Sequence, residues 1–165
     1  MRALLLDWAA TLVSYFLLGL IRVLTGSQAR WWGCPPKAEQ RIYFANHQSH
    51  ADLVMIWAAL PEELRSITRP IAARDYWTKS DFKRWITTAV FNAVYVDRER
   101  QGDEDPLQPL IDALQSGDSL IIFPEGTRGH AAEPQAFRAG LYNLALRFPD
   151  VVLVPAWINN VQRVM

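Results

Sequence analysis

The stretch from residue 42 to residue 57, Ile-Tyr-Phe-Ala-Asn-His-Gln-Ser-His-Ala-Asp-Leu-Val-Met-Ile-Trp, narrows the possible folds more than any other part of the chain. Ile42, Tyr43 and Phe44 are strand formers, and the apolar run over 53 to 60 meets no breaker before Pro61. That order predicts a buried strand, a polar turn and a helix. The turn carries His47, His50 and Asp52, three groups able to take or hold protons, at the mouth of two buried elements. In one continuous helix, five residues at about 100° each would set His47 and Asp52 roughly 140° apart, on different faces. They meet only if His47 lies in the turn and Asp52 in the first turn of the helix, where unpaired N–H groups and the helix dipole favour a carboxylate. The carboxylate then holds one imidazole nitrogen and leaves the other free to accept a proton from an alcohol or water. Two other readings fit the same residues. His47 and His50 are also cap or packing groups in many turns, and His47, His50 and Asp52 together form a metal-ligand pattern for a hydrolase. That pattern has no further cluster to complete it, since His130 is distant and Cys34 stands alone.

Composition excludes some partners. The chain has 165 residues, 50% of them apolar, with 17 Lys and Arg against 17 Asp and Glu. This is one domain's worth of sequence with a sizeable core, and balanced charge gives no bulk field for nucleic acid. A single cysteine makes no internal disulfide, which fits a reducing compartment. Seven Trp is a high count, and amphipathic indoles favour membrane interfaces.

Residues 3 to 24 are almost all apolar, broken only by Asp7 and Arg22. The uncharged part, 8 to 21, is shorter than the roughly 20 residues that span a bilayer, so a half-inserted helix fits as well as a spanning one. Residues 25 to 40, with Gly33, Pro35 and Pro36, read as a connector. After 61 to 65, a turn, the chain predicts a strand over 66 to 72 and a helix or helical pair over 75 to 89. The latter mixes Tyr76, Trp77, Phe82 and Trp85 with Lys79, Lys83 and Arg84, a basic-aromatic blend suited to anionic lipid. A strand over 93 to 96 ends beside Arg98, well placed for an anion at a strand's carboxyl end. Leu107, Leu110, Ile111 and Leu114 recur at helical spacing. The apolar strand 119 to 123 leads into a second polar turn, Pro124-Glu125-Gly126-Thr127-Arg128-Gly129. A helix over 140 to 147 and a strand over 151 to 158 follow, with no closing element after it, so the domain is expected to be truncated. Strands alternating with helices predict an α/β fold, a mixed and mostly parallel sheet flanked by helices, with an N-terminal membrane-associated helix.

These residues resemble a known family, the glycerolipid acyltransferases of the His-(x)4-Asp type. Its first block, Asn-His-x-x-x-x-Asp, matches Asn46 to Asp52, and Phe-Pro-Glu-Gly-Thr-Arg is complete as Phe123 to Arg128. The second block is looser, with Asn92 in its Gly position, Tyr95 in its Phe position and Arg98 kept. The fourth, an apolar strand with a central proline, resembles 152 to 158 around Pro155. The resemblance implies a catalytic domain over 41 to 165, after the helix at 1 to 24 and the connector at 25 to 40. It implies catalysis by His47 and Asp52, and acceptor or phosphate binding by Arg98, Glu125, Gly126, Thr127 and Arg128, with Asn46, Ser49 and Pro155 in support. Glu125 would bind the acceptor's glycerol or steady an arginine, and backbone N–H groups near the start of the first catalytic helix would face the oxyanion. No cofactor or metal is implied. The co-substrate would be an acyl-CoA or acyl-carrier-protein thioester, and the acceptor a lysophospholipid, most directly 1-acyl-sn-glycerol 3-phosphate. Glycerol 3-phosphate, another lysophospholipid and a non-phosphate alcohol are the other acceptors. The site would sit at a membrane surface, on the cytoplasmic face of the inner membrane. A non-catalytic membrane-interface protein of the same fold is the remaining alternative.

Overall fold

The computed structural model describes residues 2–97, 105–129 and 133–159. Five strands form one sheet: β1 (Arg41–Ala45), β2 (Thr68–Ala73), β3 (Val94–Val96), β4 (Ser119–Ile122) and β5 (Val152–Ala156), in the order β3-β2-β4-β1-β5. Every recorded pairing is parallel, so the sheet expected to be mostly parallel is so throughout these residues. Parallel strands need helical crossovers on the sheet's faces, which bury both sides and make each strand read as a continuous apolar run. Alternation then sorts the side chains. Tyr43, Ala45, Ile121 and Val154 face one core layer, while Ile42, Leu120 and Ile122 face the other.

The first layer is covered by α1 (Arg2–Thr25) and α2 (Asp52–Ala59), through Leu18, Ile21, Ile56 and Trp57. The second is covered by α6 (Gln108–Gln115) and α7 (Ala139–Arg147), through Leu110, Ile111, Leu114, Leu141 and Leu144. In α6 the apolar residues recur three and four apart, which puts them on one stripe, and Gly117 at φ +88° follows its end.

Differences from the sequence reading have local causes. The turn expected at 61 to 65 holds a one-turn helix, α3 (Glu62–Arg65), because Pro61 sits at its N-cap, where a missing N–H is harmless. Pro70 is tolerated within β2 because the pairing of β2 with β4 ends at Pro70 and its pairing with β3 begins only at Ile71. The helical pair expected over 75 to 89 is α4 (Arg74–Trp77) and α5 (Asp81–Trp85), running on into a π-helical turn at Ile86–Val90. Asn92, in the family's glycine position, has φ +47°, a region Asn tolerates better than most side-chain-bearing residues. The backbone demand that glycine meets is therefore still met.

Candidate active site

Parallel pairing puts the carboxyl ends of all five strands along one edge of the sheet, where α/β ligand sites gather. β1 and β4 are neighbours with Phe44 opposite Ile122, so the turns after them emerge side by side. His47 staples the two turns through its own backbone. Its N–H donates to Glu125 Oε1 at 2.9 Å, and its carbonyl accepts from the Gly129 N–H at 2.8 Å.

Asp52 opens α2 and is fully buried. Its Oδ2 lies 2.9 Å from His47 Nδ1 and accepts from the N–H groups of Gln48 at 2.6 Å and Ser49 at 2.8 Å. The carboxylate therefore organises the whole turn as well as the ring. With Nδ1 engaged, Nε2 is the nitrogen left for a substrate proton. The Phe123 ring stacks on the imidazole, centroids 4.2 Å apart and planes 18° from parallel, fixing its tilt from the other side. The backbone N–H groups expected to face an oxyanion are partly committed elsewhere: those of Gln48 and Ser49 to Asp52, and that of Ala51 to Ser49 Oγ at 3.2 Å. Ser49 thus serves the turn with both its N–H and its hydroxyl.

Asn46 is buried, donating to the Ile158 carbonyl at 2.9 Å and accepting from the Ile158 N–H at 2.8 Å, which ties the end of β1 to the segment after β5. Pro155 lies on β5, one of the two edge strands, opposite Phe44. Glu125 is held by backbone on both sides of its turn. It is buried, and its second oxygen accepts from the Gln135 N–H at 3.2 Å, so both oxygens hold backbone and no arginine bonds to it among the described residues. Gly126 has φ +75°, and a Cβ there would come within 2.5 Å of Arg138 Nε. Glycine suits this point for its conformation, while the Arg138 side chain, exposed and flexible, could move aside for a Cβ. Thr127 and Arg128 are exposed at the same turn.

The Arg128 guanidinium meets Nε2 of His50, whose ring stacks on Tyr76 at 5.4 Å. His50 is thereby turned to the arginine, and among the described residues no three His, Cys, Asp or Glu side chains converge on a metal position. His50 is exposed as a residue, but partial desolvation of its ring against Tyr76 and Arg128, reinforced by the charges of Arg128, His47 and Lys83, pushes the imidazole below its ordinary pKa, with Asp52 opposing. Arg98 lies outside the described residues. A cavity of about 680 Å³ lies between the end of α1, the connector, α2 and β5, lined by Trp31, Tyr43, Met55, Ile56 and Trp157. It also reaches Ile158, the partner of Asn46, one residue before His47.

The sequence model of the acyltransferase family matches residues 35–159, most of the chain and both polar turns. The chain belongs to the acyltransferase family. It is 30% identical over 131 residues to proteins of mouse and human named 1-acyl-sn-glycerol-3-phosphate acyltransferase alpha, covering 77% of this chain and 43% of each relative. It is 31% identical over 110 residues, 62% of this chain and 37% of the relative, to a Dictyostelium discoideum protein named Taffazin. This acyltransferase chain thus spans less than half the length of the curated relatives it matches. Its fold aligns with the crystal structure of the 1-acyl-sn-glycerophosphate (LPA) acyltransferase, PlsC, from Thermotoga maritima. The TM-score is 0.61 at 23% identity, over 89% of this chain and 56% of that one.

Sequence reasoning missed Phe123 as a ring support, Tyr76 and Lys83 as neighbours of His50, and Arg138 as a neighbour of Gly126. Phe123 had a signal, since it directly follows β4, the strand beside β1, and opens the second turn. The others depend on how separate elements meet.

Proposed function

We propose that this chain holds an O-acyltransferase site that moves a fatty acyl group from a thioester to the free hydroxyl of a lysophospholipid. The acceptor is 1-acyl-sn-glycerol 3-phosphate, and the product phosphatidic acid. The observation that carries the reading is the 2.9 Å contact of His47 Nδ1 with a buried Asp52, in a turn that adjoins the one bearing Arg128. The acceptor is the one named for the relatives that are 30% identical to this chain.

Nε2 of His47 takes the acceptor's hydroxyl proton as the oxygen attacks the thioester carbonyl. Collapse of the tetrahedral intermediate breaks the C–S bond, and the imidazolium returns its proton to the departing thiolate. Asp52 holds the tautomer and stabilises the imidazolium. Direct transfer needs no acyl-enzyme, no metal and no cofactor beyond the CoA or acyl-carrier-protein donor. Arg128, joined by Arg98, binds the acceptor's phosphate, for which a planar guanidinium is suited. The 680 Å³ cavity has the size to take an acyl chain along its apolar wall of Tyr43, Met55, Ile56 and Trp157, while Arg22, Arg30 and Gln28 make its other side polar.

The membrane belongs to this reading. In α1, Ala10, Leu18 and Ile21 pack on the domain while Trp8, Leu12, Phe16, Leu20 and Val23 are exposed, and the window Trp8–Thr25 has a mean hydropathy of 1.6. A helix apolar on all sides needs a second apolar medium, and substrates with fatty chains lie in one. We place it on the cytoplasmic face of the inner membrane.

The test is acyl transfer by the full-length protein from labelled acyl-CoA and acyl-carrier protein to a panel of glycerol 3-phosphate, lysophosphatidate and other lysophospholipids. Phosphatidate formation from lysophosphatidate as the preferred acceptor is expected. Transfer to none of the panel would refute the reading. Arg128→Ala should raise the acceptor KM at least about tenfold and Arg128→Lys less; equal effects would contradict a bidentate contact.

A further inference from the structure

Beside the dyad lies a row of four side chains from three parts of the chain. Arg128 meets the edge of His50, the His50 ring stacks on Tyr76 with centroids 5.4 Å apart and planes 19° from parallel, and Lys83 Nζ lies 4.1 Å from the Tyr76 ring centroid. The arrangement follows from the topology. β2 neighbours β4, so α4, which starts directly after β2 and carries Tyr76, comes out beside the turn that carries Arg128. Lys83 is set in the first turn of α5, where its backbone N–H donates to the Ser80 hydroxyl at 3.3 Å.

Charge sets this row apart from three other basic residues of the same region, Arg69, Arg74 and Arg84. Arg74 pairs with Asp97 at 3.2 Å, Arg84 with Asp81 at 2.8 Å and Arg69 with Asp118 at 3.0 Å. Arg128 and Lys83 instead contact an imidazole and a phenol ring, and neither forms an ion pair with a carboxylate among the described residues. Burial and the neighbouring cations disfavour the protonated form of His50, so the two rings between them add no counter-charge and no further cation. Two cations held on uncharged partners at the rim of an active site call for an anion carrying more than one negative charge. A phosphate monoester has a charge of about −1.5 to −2 near neutral pH, whereas a phosphodiester has one.

Resting on the acyltransferase reading above, we infer that Lys83, positioned by Tyr76, forms with Arg128 the part of the acceptor site that selects a lysophospholipid ending in a phosphate monoester over one ending in a phosphodiester. Lys83 contacts the headgroup. Tyr76 is a positioning residue that acts through its ring, holding Lys83 by cation–π attraction and His50 by stacking.

Acyl transfer by the full-length protein is measured with a fixed acyl-CoA and two acceptors, 1-acylglycerol 3-phosphate and 1-acylglycerophosphocholine. Lys83→Ala should lower the monoester-to-diester ratio of kcat/KM about tenfold, with the loss in the acceptor KM and less than about a twofold change in the donor KM. Lys83→Arg should restore most of the ratio. Tyr76→Phe keeps the ring and should keep the ratio, while Tyr76→Ala should reduce it as Lys83→Ala does. An unchanged ratio in Lys83→Ala, or an equal loss on both acceptors, overturns the inference and leaves the acyltransferase reading standing. A wild-type protein that acylates neither acceptor, nor any other in a wider panel, overturns both.

Discussion

Asp52 gathers three partners on one buried carboxylate oxygen, which accepts from an imidazole and two backbone N–H groups. An Asn of the same shape can offer its single carbonyl to the backbone or to the ring but loses the negative charge. Asp52→Asn should therefore reduce kcat by at least about 10²-fold and lower stability by about 1–3 kcal/mol, read from activity and from thermal unfolding. A variant as active as wild type would remove the carboxylate from the chemistry. His50 makes a pH prediction. Its folded-state pKa lies below the ordinary value, chiefly through burial, so the unfolded chain binds a proton that the folded chain resists. Stability from this group is present above about pH 6.5 and is lost as pH falls through the lower folded value. The Tm of wild type should drop further between about pH 7.5 and pH 5.5 than that of His50→Gln, and parallel curves would contradict this. The dyad was legible in the sequence because five-residue spacing across a strand-to-helix turn leaves one way for His47 and Asp52 to meet. The stack of Phe123 on His47, and that of Tyr76 on His50, were not, since spacing along a chain carries no information about which rings meet across it.

At the scale of elements, the site exists because two neighbouring parallel strands release their turns together, and a few buried polar bonds lock those turns. Asn46 supplies two of them, to the N–H and C=O of Ile158. Asn46→Ala leaves both backbone groups without their partner and should cost about 1–3 kcal/mol in urea unfolding; a change below about 0.5 kcal/mol would show that water or relaxation replaces the bonds. Asn92 tests a different link, from sequence to backbone. At φ +47° a β-branched residue is strained, so Asn92→Val should destabilise by about 1–2 kcal/mol while Asn92→Gly should stay within about 1 kcal/mol of wild type. Equal losses would mean that the Asn side chain, not the φ value, matters there. The strands and the helices α2, α6 and α7 could be read in advance from apolar runs and helical spacing. The strand order could not, because nothing in the local sequence of β2 says that it lies between β3 and β4. The backbone partners of Glu125 were hidden for a related reason. The N–H groups that its two oxygens accept from, those of His47 and Gln135, belong to other segments, and the motif around Glu125 does not announce them.

For the whole molecule, the physical problem is a polar reaction centre whose proposed substrates are fixed in a bilayer. The first core layer gives α1 a seat on the domain through Leu18 and Ile21, and leaves an apolar face of Trp8, Leu12 and Phe16 pointing away from it. Each of these side chains is worth about 1.5–3 kcal/mol when moved from water to an apolar medium. Replacing all three with Glu should therefore weaken pelleting of the full-length protein with anionic phospholipid vesicles by more than about tenfold, and unchanged pelleting would show that α1 does not meet the lipid. All three scales depend on His47 acting as the base in a site completed by the adjoining turn. The most direct measurement is the rate of acyl transfer from acyl-CoA to 1-acylglycerol 3-phosphate by His47→Ala, made alongside its thermal unfolding. The account predicts an unfolding temperature close to wild type and a rate at least about 10²-fold lower; a folded variant that keeps more than about a tenth of the wild-type rate would contradict it.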